Sequence, residues 1–527
     1  MSSAPDRAAP SRTAVRALGV LLAAALALTG CAFGRGDDIG DPTPPRPANS
    51  SARATPTADP AKDPALQTFY GQRPSWKPCR EVLECATVTV PLDWSKPAGK
   101  TISLAVARRQ ATEKKIGTLM FNPGGPGVPS LDYIADPDRF GAKVRESYDV
   151  LAWDTRGVGE STAIRCLPND RLDTFYSADA SPDDPEELRT ALDLTKEYAQ
   201  ACVENTGELI EHVDTLSTVR DMDVLRAVVG DEVLTFFGAS YGTFIGAWYA
   251  QTFPWRAGRL VLDGAVDPSL SAAQYTEGQT IGFSRAVRAY VQNCLTRRGC
   301  PLRGTQEEAY QQIQALVQKA DARPLRTASG RQLTQALMIT GLAQGMYLDA
   351  FWPTVSKGLT EALQGEGTTL LALADAYLQR DANGKYGPSI QASGAMSCID
   401  RADTRTPEQI SAGATDLGRR YPPLGDQFGW GALTCSVWPV KQVVPQQSLT
   451  ADGAPPILVI GTTNDPATPY EWAKGLASQL SSGVLLTREG NGHTGYKQGS
   501  KCVDTAVDRY LVTGTPPQAD LTCGPGS

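Results

Sequence analysis

Strict alternation of apolar and polar positions appears twice near the start of the globular part of the chain. Thr87-Val88-Thr89-Val90-Pro91-Leu92 and Thr101-Ile102-Ser103-Leu104-Ala105-Val106 predict paired strands at a sheet edge, each with one buried face. Further along, alternation gives way to short continuous apolar runs at residues 117–121, 148–153, 233–237, 259–262, 456–461 and 483–487. Runs of that length suit strands covered on both faces by helices, and residues 215–229 carry helical spacing just before one of them. Between 268 and 444 the pattern changes. Residues 307–320, 332–347 and 368–380 have helical periodicity, and no strong strand intervenes. The order predicts an α/β chain with a mostly parallel sheet, its core in two parts (65–267 and 445–527), interrupted by an inserted helical cap at 268–444.

The first residues follow a different rule. Arg7, Arg12 and Arg16 precede an uncharged run from Ala17 to Gly30 that ends Leu28-Thr29-Gly30-Cys31, an export signal too short to span a membrane. The ending resembles the bacterial lipoprotein box, which implies a signal peptide at 1–31 and lipidation of Cys31. Residues 32–64 are rich in Pro, Ala, Thr, Ser and Asp and predict a disordered tether with a reach on the order of 30 Å. Of eleven cysteines, Cys31 leaves an even set that falls into neighbouring pairs: 79–85, 166–202, 294–300, 398–435 and 502–523. An even set in an exported chain favours disulfides. No Cys-x-x-Cys pair occurs and there are two histidines, so metal binding is not expected and no cofactor is called for. The net charge of −7, without a basic cluster, argues against a nucleic-acid partner.

Chemistry concentrates at Gly238-Ala239-Ser240-Tyr241-Gly242, between an apolar run and a helical segment. Glycines two residues either side of a serine allow the sharp strand-to-helix turn that exposes a nucleophilic hydroxyl, although the pattern alone is a weak signal. A serine needs a base, and His212 and His493 are the only histidines. In the chain order nucleophile, acid, base, His212 comes too early and is expected in packing or at the surface, whereas His493 lies in a glycine-rich loop. The acid belongs on a loop after a strand. Asp465 fits, whereas Asp452 precedes the strand and Glu471 begins a helix. Thr468 could hydrogen-bond the loop or the carboxylate, but is expected rather to cap the helix before Pro469. The backbone amide of Tyr241 and that of Gly125, in Gly124-Gly125-Pro126-Gly127, are candidate oxyanion donors.

Taken together, Gly124-Gly125-Pro126-Gly127, Asp154-x-Arg156-Gly157-x-Gly159-x-Ser161, the Ser240 pentapeptide followed by Thr243, Leu262-Asp263-Gly264-x-x-Asp267-Pro268 and the Asp465…His493 ending resemble the tripeptidyl aminopeptidase family of exported actinobacterial α/β-hydrolases, relatives of the prolyl aminopeptidases. The resemblance spans residues 65–523. It implies an α/β-hydrolase fold and a serine exopeptidase that releases short peptides, tripeptides in the family's name, from free N-termini without a metal, in a lipid-anchored or secreted protein. Asn122-Pro123 departs from the His that prolyl aminopeptidases carry before Gly-Gly-Pro-Gly. A carboxylate under the cap is expected to meet the substrate ammonium, with Asp349, Asp400 and Glu277 as candidates. An esterase or lipase of the same fold and a non-catalytic lipid-anchored binding protein remain the alternatives.

Overall fold

A computed structural model describes residues 39–46 and 59–526, which fall in one compact unit, Ile39–Ser527. The predicted leader and Cys31 lie outside the described residues. The strands are β1 (Lys77–Cys79), β2 (Leu83–Pro91), β3 (Thr101–Arg109), β4 (Gly117–Asn122), β5 (Tyr148–Trp153), β6 (Leu234–Ala239), β7 (Ala257–Asp263), β8 (Leu325–Arg326), β9 (Gln332–Leu333), β10 (Ile457–Asn464), β11 (Gly483–Asn491) and β12 (Leu521–Cys523). Ten of them form one sheet in the order β1-β2-β3-β5-β4-β6-β7-β10-β11-β12. β1, β2 and β3 pair antiparallel, β3 meets β5 antiparallel, and every pairing from β5 to β12 is parallel.

Burial follows the patterns in the sequence. On β2, Val88 and Val90 are buried while Thr87 is exposed; on β5 and β7 every residue is buried. Met120, Phe236 and Leu262 face helices Thr215–Val228 and Tyr241–Thr252, packing with Met222, Leu225 and Ile245. Leu119, Phe237, Val261 and Leu458 face the other way, onto Val503, Val507 and Leu511 of helix Lys501–Thr513. Both sheet faces are therefore covered, as continuous apolar strands require.

The chain runs from β4 to β5 in one direction, then returns past β4 to β6, β7 and, after the insertion, β10. This reversal leaves a crevice at the C-terminal ends of β4 and β6, where open α/β sheets bind ligands. The insertion between β7 and β10 is helical, from Ala272–Leu295 to Leu433–Ser436, apart from the short β8–β9 pair. Gln332 opens β9 rather than a helix, and the helix starts at Gln335 behind the cap Thr334.

Helices Asn169–Ser177 and Pro185–Thr206 were not signalled by apolar spacing. The second is mostly polar. It is fixed by a capping box between Asp184 and Glu187 and by the Cys166–Cys202 disulfide. All five neighbouring cysteine pairs form disulfides. The tether expectation needs correction at its described parts. Thr43 donates its amide to Val512 (2.9 Å), its carbonyl accepts from Arg259 (2.8 Å), and Asp59 pairs with Arg256 at 2.8 Å. Backbone bonds, the Thr43 hydroxyl, the packing of Ile39 and an ion pair hold these segments, scattered contacts that composition does not signal.

Candidate active site

Ser240 sits between β6 and helix Tyr241–Thr252 with φ at 55°, a left-handed conformation that a non-glycine residue adopts only under local constraint. The flanking glycines supply the room. A Cβ on Gly238 would lie 2.4 Å from the Gly242 carbonyl, and one on Gly242 would lie 2.8 Å from that of Asn122. The Ser240 amide donates to the Asp263 carbonyl at the end of β7 (2.8 Å), which ties the turn to the neighbouring strand.

The loop after β4 comes up against this turn. A Cβ on Gly124 would lie 2.8 Å from Cβ of Ser240 and 2.9 Å from the Tyr241 amide nitrogen. The Gly124 amide is taken by Asn122 Oδ1 (2.9 Å). The amides of Gly125 and Tyr241 donate to no described residue, and Tyr241 opens a helix whose first N–H groups have no partner of their own. Two free donors therefore flank the Ser240 turn.

Asp465 and His493 leave the adjacent strands β10 and β11. His493 Nδ1 is 2.9 Å from both carboxylate oxygens of Asp465. Asp465 is buried and also accepts from the amides of Ala467 and Thr468 (both 2.9 Å) and of Thr494 (3.1 Å). A carboxylate at Nδ1 fixes the imidazole with its proton on that nitrogen and leaves Nε2 as an acceptor. His493 Nε2 is buried and has no hydrogen-bond partner, an orphan that a reacting hydroxyl can satisfy. Burial works against the imidazolium, but the Asp465 charge and hydrogen bond and the Asp263 charge outweigh it, so the His493 pKa lies above its ordinary value.

Several residues at this centre escaped the sequence reading. Of the two roles open to Thr468, it takes the bond to the carboxylate rather than the expected cap: the helix cap is Pro469 without a side-chain bond, and the Thr468 hydroxyl reaches Asp465 Oδ2 at 3.1 Å. The fully buried Asp263 side chain accepts from the amides of Gly495 (2.7 Å) and Tyr496 (2.9 Å), just after His493. Burial pushes its carboxyl up to about 7. Tyr347, from the cap, accepts the His493 amide on its carbonyl (2.8 Å), and its ring meets the imidazole edge to face at 5.5 Å. His212 ends a short 3-10 helix, partly buried, and its carbonyl accepts from Arg156 at 2.9 Å.

A cavity of 350 Å³ opens beside Tyr241 and Pro126 and is walled by cap residues including Tyr275, Tyr377, Asp400 and Phe428. Its size suits a short peptide or another small organic ligand. Of the three carboxylates expected to meet an ammonium, Asp400 lines it. Asp400 accepts from the Thr215 amide (2.8 Å), the Thr215 hydroxyl (2.6 Å) and the Tyr241 hydroxyl (2.7 Å), and burial pushes its pKa up to about 7. Asp349 is exposed at the start of the 3-10 turn Asp349–Phe351, and Glu277 is ion-paired with Arg420 at 2.7 Å; neither lines the cavity. Among the described residues, the one acidic group close enough for a metal ion is Asp183, Asp184 and Glu187. Asp183 and Asp184 are exposed, and Asp184 and Glu187 form the helix cap.

Comparison with known proteins places this geometry in context. A family model described as TAP-like protein matches residues 421–523. The chain is 34% identical to the serine protease Hip1 of Mycobacterium tuberculosis, over 86% of this chain and 91% of that protein. It is 33% identical to carboxylesterase B of the same species (86% and 90% covered), and 32% identical to the tripeptidyl aminopeptidase of Streptomyces lividans (84% of each covered).

Proposed function

This chain belongs to the tripeptidyl aminopeptidase family of α/β-hydrolase serine peptidases, and on that basis we propose that it is an exported exopeptidase that releases tripeptides from free N-termini, with Ser240 as nucleophile, His493 as base and Asp465 as the acid that orients the base. The observation that carries the reading is the Asp465–His493 pair, with Nε2 left unpartnered, on loops at the same sheet edge as the Ser240 turn. Nε2 takes the Ser240 proton as Oγ attacks the scissile carbonyl, and the amides of Gly125 and Tyr241 receive the oxyanion. The imidazolium then protonates the leaving amine. Water, deprotonated by the same nitrogen, attacks the acyl-enzyme and frees Ser240. No step in this scheme draws on a metal or cofactor. Asp400 has accepted three hydrogen bonds and keeps acceptor capacity for a substrate ammonium at the cavity wall. Five disulfides support export, and the Leu28-Thr29-Gly30-Cys31 ending supports attachment to the membrane through a lipid on Cys31.

The test compares a tripeptide anilide bearing a free amine, its N-acetylated form and a p-nitrophenyl ester, with wild type and Ser240→Ala. The free peptide should be cleaved, the acetylated one spared, and the variant inert while melting like wild type. Equal cleavage of free and blocked peptides would refute the aminopeptidase reading. Fast ester turnover with no peptide cleavage would favour an esterase, the reading that the similarity to carboxylesterase B supports.

A further inference from the structure

Of the three charged residues that line the 350 Å³ cavity, Asp403 is ion-paired and Asp400 is hydrogen-bonded by neutral groups, whereas Arg401 has no ion pair and no bond to its terminal nitrogens among the described residues. Asp403 forms a bidentate pair with Arg405, with Nε at 2.9 Å from Oδ1 and Nη2 at 2.5 Å from Oδ2. Asp400 is occupied by Thr215 and Tyr241. Arg401 is different. Its Nε donates to the Leu270 carbonyl at 3.3 Å, its guanidinium carbon lies 4.3 Å from the centre of the Tyr275 ring, and it lies 5.4 Å from that of Phe244. No carboxylate among the described residues pairs with it, and its two terminal nitrogens bond to no described residue.

Arg401 is half-buried and lines both the 350 Å³ cavity and an adjoining one of 200 Å³ that shares Phe244, Asp400 and Asp403. With no carboxylate bonded to it, this cation is held in a partly desolvated wall by aromatic faces and one carbonyl. Stacking occupies the faces of a guanidinium. Its N–H donors lie in the plane at the edge, in the fork that matches a carboxylate. The aromatic rings and the Leu270 carbonyl thus hold Arg401 in place without using the donors that would bind a ligand.

We infer that Arg401 is a specificity-determining residue which receives a carboxylate of the substrate segment held under the cap, so that peptides carrying Asp or Glu within the released residues are preferred. This rests on the peptidase reading above. Asp400 does not cancel the preference: its oxygens accept from Thr215 and Tyr241, and in the bound state the substrate ammonium matches its charge, so Arg401 keeps its own.

The test uses free-amine tripeptide anilides in which each position in turn is Glu, Gln or Lys and the others are Ala. At one position Glu should exceed Gln by about tenfold in kcat/KM, the value of one charge-assisted contact at a half-exposed site, with Lys poorest. Arg401→Gln should bring the Glu/Gln ratio near one, and Arg401→Lys should keep it above one. A wild-type enzyme with no Glu advantage at any position would overturn the inference. So would an Arg401→Gln variant that loses activity on Glu and Gln peptides in the same proportion, because Arg401 would then only brace the aromatic wall. Cleavage of the whole panel at equal rates refutes the role of Arg401 and leaves the peptidase reading standing. No peptide cleavage at all refutes the peptidase reading and this inference with it.

Discussion

Replacing Asp263 by Asn separates a positioning role from simple packing. Asp263 links two parts of the candidate centre: its carbonyl accepts the Ser240 amide (2.8 Å), and its carboxylate accepts the amides of Gly495 and Tyr496 (2.7 and 2.9 Å), next to His493. Asparagine offers one acceptor oxygen. Its NH2 group must face the second amide, which is left buried without a partner at a cost of about 1–3 kcal/mol. If that cost falls on the placement of His493, kcat/KM drops about 10- to 100-fold. Where Asp263 is ionised, above about pH 7, its charge helps hold the His493 pKa up, so the substitution should move the upper part of the acid limb of kcat/KM to lower pH. Stability should respond in the opposite sense. The native carboxyl keeps its proton up to about 7, whereas the unfolded one releases it near 3.8, so the unfolded state binds fewer protons between these values. Wild-type stability therefore falls as pH rises through that window, and Asp263→Asn should flatten the slope. The assay is kcat/KM on a tripeptide anilide from about pH 5 to 9, alongside urea unfolding at each pH. An acid limb that stays in place with an unchanged kcat would refute the positioning role, whatever happens to stability.

Other expectations follow from particular contacts. In wild type, kcat/KM should rise with pH through a midpoint above the ordinary histidine value of 6.5, because the neutral base accepts the proton and Asp465 favours its charged form; a midpoint below 6.5 would contradict the pairing. Gly264 has φ of +69°, and a Cβ there would lie 3.1 Å from both His493 Cε1 and the Thr468 hydroxyl. Gly264→Ala should cost about 1 kcal/mol in backbone strain and lower kcat far more than it lowers thermal stability, which steady-state kinetics and melting together would check. Arg156 and Asp221 form a fully buried ion pair, with Nη2 at 2.6 Å from Oδ1, and Arg156 also donates to the carbonyls of Leu92 and His212. Arg156→Ala should destabilise the protein by about 3–5 kcal/mol in urea, because an uncompensated carboxylate and unpaired carbonyls remain. A loss under 1 kcal/mol would mean that water replaces the guanidinium.

The central sheet was legible because burial on both faces forces continuous apolar runs. β4, β5, β6, β7, β10 and β11 each coincide with such a run to within a few residues. The strands β1 and β12 are three residues long, and each carries a disulfide cysteine, Cys79 or Cys523. Cross-links rather than apolar periodicity secure them, so pattern alone gives no strand there. Helix Pro185–Thr206 was illegible for a related reason: it buries few apolar side chains and depends on its cap and a disulfide. The cap helices were recognisable as helices, but which of their carboxylates faces the cavity was not. Ion pairing of Glu277 to Arg420 spans 143 positions of sequence, and no local pattern encodes it.

Chain order does for the candidate centre what periodicity does for the sheet. Ser240, Asp465 and His493 each follow the C-terminal end of a parallel strand, so a one-dimensional order of turns becomes a row along one sheet edge. That logic extends only to residues that leave strand ends. Asp263 does end a strand, within the Leu262-Asp263-Gly264 motif, and burial there obliges its carboxylate to find partners. With no lysine or arginine adjacent, a buried carboxylate must find backbone amides, and the nearest free ones lie in the loop that carries His493. Tyr347 and Arg401 belong to the other class. Both reach the site from the cap, and their positions depend on how the inserted helices settle over the crevice. The candidate centre is thus written in the order of the strands, whereas the cavity wall is set by the packing of the insertion. Substitutions at the edge should therefore change kcat for every peptide, and substitutions at Arg401 should change which peptide is preferred.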